Sequence, residues 1–324
     1  MDELPLFSPG PARSERWERL RAGVARLAGE GILLGTSSWK YPGWIGWLYE
    51  RDRYLTRGRF SEARFRRECL RAYAEVFPAV SVDAGYYAFP TAETVNSLRR
   101  LAGDGFRLSF KVTDEITMRR FPRLDRFGAR AGQENPRFLD ADLFRRAFLA
   151  PLEPHRHQVG VLMFEFARFA PGTWSSPSEF ADALDRFFAG LPGGWSYGVE
   201  LRNPELLQPE YLAALARHGI AHVLNQWQAM PSVGEQLKVP GILTTDFTAA
   251  RFLLKPGRSY EEAVRLFSPY DRLREPLPEA RAAARQLIDT LRSRPRPPQR
   301  PSFIFVNNRL EGHALETILA LVSP

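Results

Sequence analysis

Short runs of β-branched and aromatic residues recur along the chain, each followed by a stretch able to form a helix. Runs at 32–37, 79–83, 106–111, 159–165, 197–201, 220–224, 250–254 and 302–306 read as strands. Apolar runs of roughly 4–8 residues bounded by turn residues suit strands buried on both faces. Between them, 65–76, 178–189 and 210–218 carry apolar residues at the three-to-four spacing of amphipathic helices. The helix before the third strand opens with Thr91 as N-cap and Glu93 in its first turn, where an acid suits the helix dipole. Eight strand–helix repeats predict an α/β fold, a single (β/α)8 TIM barrel. The spacing is irregular in two places. Residues 1–30 form an N-terminal extension with a helix over 14–28, and 113–153 form an insertion between strands three and four with a helix near 139–149. The barrel domain then spans 31–324.

Composition narrows the class. The 324 residues are 44% hydrophobic and 25% charged, enough apolar surface to offset ordering entropy, so disorder is excluded. No apolar run approaches the roughly 18–20 residues of a membrane helix, and no membrane partner is expected. Residues 1–13 are polar and lack the apolar centre of a secretory signal. One cysteine, Cys69, excludes an internal disulfide framework and a cysteine-built zinc site. A cytoplasmic location follows as the expectation. The net charge of +8 raises nucleic acid as a partner. Only four of the 45 basic residues are lysines, however, and the arginines are interleaved with acids, as over 64–71. Solvated helix faces are the competing explanation. The Arg- and Pro-rich tract 292–301 reads as an extended basic loop into the last strand.

In such barrels chemistry lies at the carboxyl ends of the strands. There the sequence places Trp39 after strand one, Asp83 after two, Lys111 at three, Glu165 at four, and Glu200 with Arg202 at five. Asn225 and Gln226 follow strand six, Arg251 and Lys255 belong to seven, and Asn307 and Asn308 end eight. Any one of these can cap a helix instead, but the set predicts one polar pocket.

These same segments resemble a known family. Gly35–Trp44 with Tyr49, Tyr73–Phe77 leading to Ser81–Pro90, Phe106–Lys111 with Ile116 and Thr117, Val161–Phe169, Val199–Arg202, Arg251, and Phe305–Asn308 with Gly312 and Ala314 are similar, in order, to the YecE-like family, domain of unknown function 72. The resemblance spans about 31–320 and implies a TIM barrel. It implies no reaction, because the family's activity is not established. Three departures mark a divergent branch. Asp83 stands where the family pattern has Glu, Glu165 where it has Gln before Phe-Pro-Pro, and the stretch after Arg251 lacks the pattern's His.

Three chemistries fit the pocket. Glu165 and Glu200, on adjacent strands, can divide acid and base roles if burial raises one pKa, with Asp83 beside them and Lys111 and Arg202 as counter-charges. A structural Lys–Glu–Arg network bracing the mouth is the alternative. A hard divalent ion on Asp83, Glu165 and Glu200 is a second option; His155 and His157 precede strand four, on the wrong face, and no metal site is assigned. The third is an anion held by Lys111, Arg202, Arg251, Lys255, Asn307, Asn308 and Arg309, although neither standard phosphate loop is present and no cofactor is indicated. Trp39, Tyr41, Trp44, Tyr86 and Tyr87, joined by Trp227, supply an aromatic wall that either packs loops or stacks a ring. The combined expectation is an enzyme acting on a small anionic ligand through acid–base or hydrolytic chemistry. A nucleic-acid-binding protein using the same mouth and an arginine-rich rim is the alternative.

Overall fold

The computed structural model describes residues 15–323 apart from 296, 298 and 299. Ten strands occur among them: β1 (Ile32–Thr36), β2 (Leu55–Thr56), β3 (Arg59–Phe60), β4 (Ala79–Val82), β5 (Arg107–Lys111), β6 (Val159–Phe166), β7 (Ser196–Leu201), β8 (Ala221–Gln226), β9 (Ala249–Phe252) and β10 (Ser302–Val306). Eight close into one barrel in the order β1, β10, β9, β8, β7, β6, β5, β4. All their pairings are parallel. The (β/α)8 barrel is therefore present, each strand on the apolar run that announced it. β2 and β3 form a small antiparallel hairpin in the first loop, too short to leave a periodic trace.

The helices follow the same correspondence. Glu15–Gly29 precedes the barrel and packs on the last helix, Ala314–Val322, where Arg26 donates to the Val322 carbonyl at 2.8 Å. Residues 1–14 of the expected extension lie outside the described residues. The run at 65–76 starts earlier, because Ser61 caps Arg64 N, and it divides into Glu62–Glu68 and Leu70–Ala74 around Cys69. Thr91 caps its helix by accepting from Thr94 N at 3.2 Å. Within the insertion, Asp140 caps a turn that widens into a π-helix over Phe144–Leu149. Among the described residues no helix is long and apolar enough to cross a membrane.

Two apolar layers hold this together. Strand residues facing out pack on the helices, with Leu34, Phe110, Phe164, Leu201 and Val306 among them. Those facing in, including Leu33, Val161, Met163, Val223, Phe303 and Phe305, fill the bore. Small residues set how closely the strands approach. A Cβ on Gly35 would lie 2.2 Å from the Ala79 carbonyl oxygen and 3.3 Å from the Phe305 ring, so only glycine fits. Gly35→Ala is expected to destabilise by about 1–3 kcal/mol through overpacking, read as a lower urea midpoint. Gly29→Ala, whose added methyl meets nothing within 4 Å, is the control and should leave the midpoint unchanged or higher.

Candidate functional site

Above the apolar filling, the last inward positions of the strands are polar, most of them charged. Glu165 on β6 and Glu200 on β7 are register partners, as are Asn225 on β8 and Arg251 on β9. Arg251 reaches across the bore from β9. Its Nη1 donates to Glu165 Oε2 at 2.9 Å and Glu200 Oε2 at 2.5 Å, and its Nη2 donates to Asp83 Oδ1 at 3.4 Å. Arg202 Nη2 donates to Glu165 Oε2 at 3.0 Å and pairs with Glu200. Lys111 Nζ lies 3.0 Å from Glu165 Oε2 and 4.0 Å over the Tyr86 ring. Arg202 stacks 3.9 Å over Trp227. Three carboxylates and three cations thus form one network. Glu200 is wholly buried and Arg251 nearly so, whereas Asp83 keeps 36% of its side chain exposed and is the network's most solvent-accessible member.

The electrostatics separate the acids. At Glu165 burial opposes ionisation, but Lys111, Arg202 and Arg251 outweigh it and hold the carboxyl far below the usual range. The expectation that burial would turn one of the Glu165–Glu200 pair into the proton carrier is therefore reversed at Glu165. At Asp83 burial dominates: it lifts the carboxyl above its ordinary value against Lys111 and Arg251, with the Glu165 charge adding to the rise. Arg251, despite burial, is held more firmly protonated by Glu200, Asp83 and Glu165. Arg202 Nη1, Arg251 Nε and Asn225 Oδ1 are buried with no hydrogen-bond partner. Such atoms in a native site mark where water or a ligand bonds.

The other expected residues divide. Tyr86 is buried beside Lys111, and Tyr87 is 67% exposed with Arg126 5.2 Å over its ring. Tyr41 sits at the edge, its phenol pushed up to about 12 by burial, with Arg309 and Asp83 nearby. Trp44 is fully buried between Tyr41, Tyr49 and His313, and so packs the first loop. Trp39 is buried under Lys40, and its carbonyl accepts from the Tyr49 hydroxyl at 2.5 Å. Asn307 Oδ1 accepts from Arg309 N, and Asn308 Oδ1 from Ala314 N, both local caps. Lys255 pairs with Glu275 at 2.8 Å, as Arg258 does at 2.6 Å, away from the network. The reading missed Glu275, which carries no periodic signal. Among the described residues no group of three or more His, Cys, Asp and Glu is arranged to hold a metal ion; Asp83, Glu165 and Glu200 all face Arg251 instead.

A groove of about 500 Å³ adjoins the mouth beyond β5 and β6, between Met118–Phe121 of the insertion and Ala167–Thr173. Both walls are pinned. The Asn135 amide donates to the Glu115 and Met118 carbonyls, and Asn203 Oδ1 accepts from Phe169 N at 2.7 Å.

The family described as "Protein of unknown function DUF72" matches residues 33–323. The UPF0759 protein YecE of Escherichia coli K12 is 26% identical over 174 residues, 54% of this chain and 49% of that protein. The O157:H7 protein matches to the same extent, so the chain spans about half the length of these relatives. A solved DUF72 family structure from Enterococcus faecalis V583 superposes with a TM-score of 0.58 at 18% identity, covering 90% of this chain and 94% of that one. One from Thermotoga maritima MSB8 gives 0.56 at 18%, covering 90% and 97%. At these identities the likeness concerns the fold.

The opposite pKa directions of the two acids give opposite pH dependence. Glu165, depressed in the folded state, contributes stability above its unfolded pKa of about 4.3, and this is lost as pH falls below it. Asp83, raised in the folded state, contributes fully below about 3.9 and loses that contribution as pH rises through its folded value. At neutral pH, Glu165→Gln should cost about 3 kcal/mol by leaving buried cations uncompensated, and it should flatten the acid limb of the stability profile. Asp83→Asn should equal or exceed wild type at neutral pH. Urea melts across pH check both, and an unchanged Glu165→Gln midpoint would contradict the analysis.

Proposed function

The chain belongs to the DUF72 family, and we propose that its barrel mouth binds a small anionic ligand and carries out acid–base chemistry on it, with Asp83 as the proton-holding group. One observation carries this reading. Three cations and two of the three carboxylates are largely buried in a single network whose third carboxyl, Asp83, is the most accessible one and the one whose pKa desolvation raises. With Asp83 protonated, Lys111, Arg202 and Arg251 exceed Glu165 and Glu200 by one positive charge, which an anionic ligand balances. Arg202 Nη1 and Arg251 Nε are the donors without a partner, suited to oxyanion recognition and to stabilising developing negative charge. Glu165 stays ionised and acts by holding the three cations in place. Asp83 is then the general acid, or the base after release of its proton. A buried charge layer is weak stabilisation, since apolar packing of equal volume is often neutral or better, which favours a functional reason for it.

The nucleic-acid alternative calls for a continuous basic stripe leading from the mouth. Several described arginines outside the network are paired with acids: Arg292 with Glu30 and Asp289, Arg300 with Asp246, Arg53 with Glu50 and Glu75, and Arg66 with Glu62. This favours the small-ligand reading.

The test is a thermal-shift screen with phosphate, carboxylates, sugar phosphates and short oligonucleotides at two salt concentrations. A ligand near 100 Kd stabilises by about 2.7 kcal/mol. A small anion should stabilise the protein more strongly as pH falls through the Asp83 titration, and Lys111→Met should lose this pH-dependent part of the response. Asp83→Asn should keep binding and lose turnover of whichever ligand reacts. Stabilisation by oligonucleotides alone, fading with salt, would overturn the proposal.

A further inference from the structure

The opposite end of the barrel carries a second charged feature. A cavity of about 1010 Å³ opens beneath the strands, lined by Arg107, Arg156, His157, Trp195 and Arg300 with one carboxylate, Glu153, and with Phe303 among its apolar residues. Two of the three arginines are already satisfied by the protein. Arg156 donates to the Gly193 and Gly194 carbonyls, reaches Glu153 at 3.4 Å and lies 4.8 Å over the Trp195 ring. Arg300 pairs with Asp246 at 3.1 Å.

Arg107 is different. It opens β5 at the register level of Ala79, a residue of the bore filling, and the next alternate positions on the strand are Ser109 and Lys111. The strand therefore presents one cation to each end of the bore. Half-buried, Arg107 has its guanidinium pulled below its ordinary range by desolvation, with no acid opposing the effect, and no described residue accepts a hydrogen bond from it. On the same cavity the buried Trp195 indole N–H has no acceptor either. A partly desolvated charge without a partner is costly, and so is an orphaned buried donor. Donors without acceptors around a volume of small-ligand size fit an acceptor-rich occupant.

We infer that this lower cavity is a second anion site, in which Arg107 and Trp195 hold the oxyanion group of a small molecule, phosphate-like in chemistry, independently of the mouth. Local stability gives way to function at such a position, so the unliganded protein should gain from losing the charge.

Inorganic phosphate is the probe, replacing chloride at constant ionic strength in thermal melts of the full chain. Phosphate should raise the wild-type Tm. Arg107→Gln should melt at or above the unliganded wild type, and Lys111→Met, which removes a cation of the mouth, should keep a phosphate response that is abolished when Arg107→Gln is added to it. Trp195→Phe should fold and weaken phosphate binding several-fold. Failure of wild type to respond, a response in the double variant equal to that of Lys111→Met, or a response lost in Lys111→Met alone would each overturn the assignment. The last would place the anion at the mouth alone. Failure of Arg107→Gln to fold, together with an unchanged Trp195→Phe, would give both side chains a structural role and equally overturn it.

Discussion

Arg251 is the residue on which the upper half of the barrel depends. One guanidinium, almost wholly buried, crosses from β9 to carboxylates that follow β4 and lie on β6 and β7. Its position follows from the barrel itself: at the same register level sit Asn225 and Phe305, on the neighbouring strands. Below that level, Met163, Val223 and Phe303 fill the bore. The charges therefore interact in a weakly screened environment, where each is tolerable only while its partners stay in place. Lys111 and Arg202 are secondary supports, because both converge on the same Glu165 oxygen that Arg251 already engages.

This hub gives the family departures a physical meaning. An acid at 165, where the family pattern has an amide, is compatible with burial because three cations contact it, and it lowers the mouth's formal charge by one. Aspartate at 83, shorter than the glutamate of the pattern, contacts Arg251 only at 3.4 Å and remains exposed enough to exchange a proton with a ligand or solvent. The two changes offset one another: the added acid is fixed in its ionised form, and the shortened one is the member free to be neutral.

Much of this was legible in the sequence because buried parallel strands leave continuous apolar runs, and a TIM barrel fixes where those runs end. Asp83, Lys111, Glu165, Glu200, Arg202 and Arg251 could be named from that alone. Which acid carries the proton could not, since it depends on how many cations reach each oxygen across the bore. The aromatic first loop left two roles open for a related reason. Trp44 and Tyr49 lie outside any periodic element, so spacing does not distinguish a ring packed at zero exposure from one facing a ligand. Lys255 was assigned to the anion group because its partner, Glu275, is 20 residues away on another loop. Arg107 was overlooked although the period of two that made Lys111 inward-facing applies to it as well.

A local irregularity makes this arrangement of β5 and β6 possible. Val159 packs toward the helices, whereas Val161 and Met163 fill the bore, so the alternation of β6 changes phase at Gly160. The pairing records the same event: Leu108 faces Val159, but Phe110 faces Leu162 and Lys111 faces Met163. At this point Ser109 Oγ accepts from Val161 N at 3.0 Å, and a Cβ on residue 160 would lie 2.3 Å from that same oxygen. Glycine is therefore what lets the extra residue be absorbed as a bulge. Had the first register continued, Lys111 would lie level with Leu162, a residue of the helix-facing layer, and out of phase with Glu165. One glycine at the start of a strand thus brings Lys111 into the network at the top, while Arg107, on the unshifted side, faces the cavity below.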